Sequence, residues 1–158
     1  MSVYTLTRRQ YVHGDIASVF GFFEDPKNLE RITPHWLHFE VESSTDKRVR
    51  SGTVIVYSLR WHVFPIRWRS RISEYEEGVR FTDEMLRGPY KRWVHDHYFA
   101  PVEGGVEMVD RVEYALPFGW LGALIHAAVV RRQLVSIFDY RHEAISRIFS
   151  DRTEGVRT

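Results

Sequence analysis

Apolar and polar positions change period three times along the chain. Residues 3–12 alternate as a half-buried strand does, with Tyr4, Leu6 and Thr7 suited to one. Ile16, Val19, Phe20 and Phe23 then recur at i, i+3, i+4 and i+7, which lays one apolar stripe along a short helix, with Asp15 placed as its N-cap. Asp25-Pro26 opens a second short helix, since a carboxylate caps it and proline is tolerated in its first turn. Thr33-Pro34 ends that helix near Ile32.

From Leu37 to Leu116 the pattern predicts strand after strand, over residues 39–43, 53–63, 66–75, 80–86, 90–100 and 106–116. The connections are short and carry turn residues: Phe64-Pro65, Glu77-Gly78, Gly88-Pro89 and Glu103-Gly104-Gly105. Such spacing favours antiparallel hairpins. After Pro117 the period becomes helical, through Leu121, Leu124, Ile125, Ala128, Val129, Leu134, Val135, Phe138, Ile145, Ile148 and Phe149. Neither Pro nor Gly interrupts residues 123–151, so a helix of about 28 residues, about 42 Å long, is expected there. Strands and helices are segregated, which argues for an α+β fold. The expectation is a curved antiparallel sheet of about seven strands wrapped around a long C-terminal helix, with two short helices after the first strand. One domain spans residues 1–158, with a frayed tail from about residue 152.

Alternation also assigns faces. Ile66, Trp68, Ser70 and Ile72 share one side of a strand, and Arg67, Arg69 and Arg71 share the other. The arginine row faces solvent, because three unpaired guanidinium groups are too costly to bury. Lys91, Trp93, His95, His97 and Phe99 share a face that the aromatic residues turn inward. In the last strand Met108, Asp110, Val112, Tyr114 and Leu116 align, so Asp110 sits among core-type residues. The inner surface then holds two histidines and one aspartate within an aromatic lining, the composition of a small-molecule site.

Composition narrows the class. Of the 158 residues 44% are hydrophobic and 15% aromatic, which excludes disorder. There is no cysteine, so disulfides and thiolate metal sites are excluded. A net charge of +1, from 22 basic and 21 acidic residues, is too small for a polybasic nucleic-acid binder. No stretch approaches the roughly 18 apolar residues of a membrane helix, and the first ten residues lack the apolar core of a signal peptide. A cytoplasmic protein is expected, without stable membrane insertion.

Several motifs resemble a known family. They are Asp110-Arg-Val-Glu-Tyr-Ala-Leu-Pro-Phe-Gly119, Arg131-Arg-Gln-Leu134 and Ile137-Phe-Asp-Tyr-Arg141 near the C-terminus. Asn28-Leu29 through Ile32-Thr-Pro34 and Trp36-Leu37 add to them, as do Asp83-Glu84 through Gly88-Pro-Tyr90 and Trp93-Val-His-Asp-His-Tyr-Phe99. Together they resemble the SRPBCC superfamily, which includes START domains, the birch-pollen-allergen (Bet v 1) fold and polyketide cyclases. The likeness is closer to its small bacterial branch, labelled cyclase/dehydrase or cell-division-inhibitor-like. The resemblance implies the helix-grip fold, in which a sheet and a long C-terminal helix enclose an apolar cavity. Its members include carriers, sensors and enzymes, so the fold alone does not give the chemistry.

Three functions follow as alternatives. The first is a binding protein for a lipid-, isoprenoid- or polyketide-like ligand, lined by Trp68, Ile72, Trp93, His95, His97, Phe99, Met108, Asp110, Val112, Tyr114 and Phe138. The second is a cyclase-, dehydratase- or hydrolase-like enzyme in which His95, His97 and Asp110 do acid–base work, since histidine is suited to proton transfer near neutral pH. The third is a protein-interaction module, marked by a large exposed apolar patch. His95, His97 and Asp110 are also spaced to hold a metal, but no fourth ligand is identifiable. No metal or cofactor is expected, and a homodimer is left open. Whether Arg131, Arg132 and Arg141 approach the cavity or stand in solvent is undecided by the sequence.

Overall fold

The computed structural model describes the backbone of residues 1–154 and the side chains of residues 1–150. The tail expected from about residue 152 lies outside the residues whose side chains are described. Strand β1 (Tyr4–His13) is followed by helix α1 (Ile16–Glu24), where the Asp15 carboxylate accepts a hydrogen bond from the Ser18 amide at 2.9 Å. The second helix is shorter than its pattern suggests. Asp25 caps a 3₁₀ turn at Pro26–Asn28, and only Leu29–Ile32 (α2) is α-helical. A further 3₁₀ turn, His35–Leu37, leads into the sheet.

Strands β2 (Glu40–Ser44), β3 (Val54–Trp61), β4 (Phe64–Glu76), β5 (Arg80–Arg87), β6 (Arg92–Val102) and β7 (Gly105–Ala115) complete one seven-stranded sheet of order β1-β7-β6-β5-β4-β3-β2. Every neighbouring pair is antiparallel. β4 shifts register against β5 twice, between Arg69 and Ser70 and between Ile72 and Glu74, and such bulges bend a strand. The β3–β4 turn is His62-Val63, not the expected Phe64-Pro65, with His62 in the left-handed region at φ 55°. Pro65 is tolerated within β4 because it pairs only with Arg60 of β3, ahead of the first pairing with β5 at Arg69.

The C-terminal helix begins earlier than its expected start at residue 123. It comprises α3 (Gly119–Ile125), a π turn at His126–Val130 and α4 (Arg131–Glu154). Gly122 lies inside the helix for a packing reason: a Cβ there would come within 2.2 Å of the Pro117 carbonyl oxygen. Contrary to the sequence expectation, the stretch Gly119–Ser150 contains an 18-residue window long and apolar enough to cross a membrane, with 22% of it buried inside the fold. In this fold the later part of the helix lies against the sheet, burying Leu134, Phe138, Ala144, Ile145 and Phe149. The main core gathers Val19, Phe20 and Phe23 of α1 with Ile72, Phe81, Phe99, Val106 and Met108 of the sheet. A smaller cluster joins Val112 and Tyr114 to Leu134 and Phe138.

Candidate functional site

Between the sheet and the C-terminal helix lies a pocket of about 480 Å³. Its aromatic wall comes from strands β3, β4 and β6 and from the β5–β6 connection. Tyr57 stacks on Trp68 at 5.9 Å, Trp68 meets Trp93 edge-on at 5.2 Å, and Tyr90 lies 4.9 Å from Trp93. Trp61 joins this wall, whereas Trp36 and Trp120 are exposed and do not. The helix contributes Ile125, Leu134, Ile137 and Phe138 to the opposite side.

One end of the pocket is polar. His95 and His97 point inward from β6 as alternation requires, and their rings stack with centroids 3.7 Å apart. Behind them Asp110 projects from β7, where it pairs across the ladder with His97. His95 Nε2 lies 2.9 Å from Asp110 Oδ1 in a hydrogen bond. Arg141 of α4 grips the same carboxylate with two donors, Nε to Oδ2 at 3.2 Å and Nη2 to Oδ1 at 3.1 Å. Burial alone would push the Asp110 carboxyl up. The Arg141 guanidinium and the two histidines outweigh that and hold it well below the carboxylate range. His97 is lowered by burial itself: burial, then the adjacent His95, push it down to about 3, so its ring is neutral at physiological pH. His97 Nδ1 is 3.2 Å from Asp110 Oδ1 but makes no aligned hydrogen bond.

The three side chains do cluster as metal ligands would, with ligand atoms within 4.8 Å of one another. The chemistry of the donor set argues against an ion. Asp110 is already engaged by a bidentate guanidinium, which puts positive charge where a cation would sit.

A second polar feature is Asp83, which lies opposite His95 in the β5–β6 ladder and on the pocket wall. Its Oδ1 is buried without a hydrogen-bond partner. Burial pushes its carboxyl up, and the Ser70 hydroxyl and His95 offset only part of that. The Trp61 indole N–H is likewise buried and unpartnered. Unpaired buried polar atoms are rare enough to call for an explanation.

Of the residues assigned to a ligand site from sequence, Trp68, Trp93, His95, His97 and Phe138 line the pocket. Asp110 stands behind the histidines. Ile72, Phe99 and Met108 pack instead into the main core, because α1 closes that end of the sheet, and Val112 is sealed in the smaller cluster. Tyr114 faces a separate hollow of about 530 Å³ shared with Tyr4 and His126. Arg141, left undecided by the sequence, is buried in the site, while Arg131 and Arg132 are exposed. Sequence reasoning missed Asp83 and Tyr57. Alternation was available for both: it places Tyr57 beside Trp68 across β3 and β4, and Asp83 on the face of Phe81 in β5, opposite His95.

No family model matches the chain, and no curated protein matches it by sequence. Solved structures do. The KanY protein aligns with a TM-score of 0.71 at 13% identity, over 95% of this chain and 99% of its own. TTHA0849 from Thermus thermophilus aligns with a TM-score of 0.65 at 20% identity, over 90% and 97%. Ginseng major latex-like protein 151 from Panax ginseng aligns with a TM-score of 0.68 at 11% identity, over 93% and 97%. The shared architecture is the helix-grip fold, an antiparallel sheet closed around a long C-terminal helix.

Proposed function

We propose that the protein binds a small hydrophobic molecule, lipid-, isoprenoid- or polyketide-like, in the pocket between sheet and helix. The observation that carries this reading is the pocket itself: about 480 Å³ lined mainly by aromatic and aliphatic side chains, with a few convergent polar groups. A core of this size needs no such void, since protein interiors close to crystal-like density. The polar groups specify the ligand further. Arg141 is neutralised by Asp110, so that end suits an uncharged polar group. Asp83 and Trp61 offer an acceptor and a donor that the protein leaves unused, which suits a hydroxyl or carbonyl on an otherwise apolar skeleton. In this reading the protein works in the cytoplasm. Native mass spectrometry and solvent extraction of the purified protein test it: a retained apolar compound of one-to-one stoichiometry is expected, and a protein that neither retains nor takes up any apolar compound contradicts it.

One observation favours a second reading. His95 lines the pocket and is oriented by Asp110 at 2.9 Å, the arrangement of a general base held by a carboxylate. In that case the bound molecule is turned over by proton transfer, in the manner of a cyclase or dehydratase. His97, held neutral, takes no part as an acid. His95→Gln separates the readings: it keeps ligand binding in both and abolishes turnover only in the second.

A further inference from the structure

The antiparallel order requires the β3–β4 turn, the β5–β6 connection and the exit from β7 into α3 to lie at one end of the sheet. The pocket touches all three, through Trp61, Pro89 and Phe118. Phe118 is 74% exposed, so the pocket reaches the surface there. Large apolar side chains stand in solvent at the same end. Trp120 is 77% exposed and Val63 81%, and Phe64, Leu121 and Leu124 are exposed beside them in the chain. Single exposed apolar residues are ordinary, but a group drawn from separate elements around an opening marks a binding surface.

This face is held outward by the fold. Within the π turn, His126 turns inward, where its Nε2 lies 2.7 Å from the Tyr114 hydroxyl and its ring stacks on Tyr4 at 3.5 Å. The opposite side of the helix, with Trp120, Leu124 and Ala128, is left to solvent. Basic side chains predominate at this end. Residues 58–68, 85–95 and 114–138, which surround the opening, contain no Asp or Glu. Arg67 and Arg92 reach outside them to Glu42 and Glu113. Arg60, Arg87, Lys91, Arg131 and Arg132 have no ion-pair partner among the described residues.

We propose that this end docks on an anionic lipid bilayer, with Trp120, Leu124, Val63 and Phe64 in the interfacial layer and the unpaired basic side chains on lipid phosphates. An apolar wedge flanked by basic residues is the form that interfacial binding takes, and tryptophan favours that layer. A second copy of the chain fits less well, since two cationic rims would face each other. Docking goes beyond the proposed ligand binding and stands without it. Together they bring the pocket opening against the membrane, where an apolar molecule enters without crossing water.

The test is co-sedimentation with vesicles of phosphatidylcholine alone and of phosphatidylcholine enriched in phosphatidylglycerol. Binding to the anionic vesicles is expected, weakening as salt is added. Brominated lipid should quench tryptophan emission in the native protein and much less in Trp120→Phe. The double variant Trp120→Ser/Leu124→Ser should bind about tenfold more weakly or worse, the loss of about 1.4 kcal/mol, with an unchanged circular dichroism spectrum. Ile137→Trp, which fills the pocket from the helix side, should still bind vesicles, so docking and ligand uptake fail separately. Folded native protein that ignores both vesicles, equal binding by the double variant, or a dimer that the double variant dissociates would each overturn the proposal.

Discussion

At the scale of single residues the site is defined by ionisable groups held away from their ordinary behaviour. Burial keeps His97 neutral down to about pH 3 against an ordinary value of 6.5. Between those values the unfolded chain takes up a proton that the folded one refuses, so stability falls as the pH drops, by up to about 1.4 kcal/mol per pH unit from this group. Asp110 is also shifted down, but for a carboxylate that shift stabilises the fold: its contribution is complete above the ordinary value of 3.8 and is lost only as the pH falls through its lower folded value. Urea unfolding at about pH 7 and about pH 5 should therefore show marked destabilisation in mild acid, and His97→Phe should remove most of that difference. Equal pH dependence in the variant would contradict the assignment. Asp83 is the converse case, because burial raises its carboxyl and ionising it works against folding at neutral pH. Asp83→Asn should raise the unfolding midpoint and weaken ligand binding, a trade typical of functional polar groups. His95, His97 and Asp110 were legible from alternation alone, since period two sends them to one face. The same period puts Asp83 on the face of Phe81, but alternation does not tell a buried, unpartnered carboxylate from one that finds a partner.

At the scale of elements, proline and capping carboxylates marked boundaries reliably where they acted on the local backbone, as at Asp15 and Asp25. They misled where tertiary packing decided. Phe64-Pro65 has the composition of a turn but lies in a strand whose other side is still unpaired. Gly122 resembles a helix breaker, yet it is the residue that lets the helix start pass over the Pro117 carbonyl. Gly122→Ala should push that first turn outward and cost about 1–3 kcal/mol, the usual range for overpacking. Thermal unfolding would measure the loss, and amide exchange should show it concentrated over Gly119–Ile125. Unchanged stability would mean that the junction relaxes freely and does not position the pocket opening. The π turn is invisible to a pattern of period 3.6, because its extra residue is accommodated inside a continuous helix.

At the scale of the whole molecule, the element order was legible because strands and helices are segregated along the chain, and an antiparallel sheet holding one long helix is the economical way to bury both. The aromatic excess has two destinations. Tyr57, Trp61, Trp68, Tyr90 and Trp93 line the pocket, while Phe20, Phe23, Phe81 and Phe99 pack together in the main core at the closed end of the sheet. Composition could not separate them, since both environments are apolar and only the placement of α1 distinguishes them. The central claim is that the first group encloses a ligand space. Titration with an environment-sensitive apolar fluorophore measures it directly, in the native protein and in Ile137→Trp. Saturable one-to-one uptake by the native protein, lost in the folded variant whose added indole occupies the space, is the predicted result. Native protein that takes up no probe, or uptake that the filled variant retains in full, would contradict it.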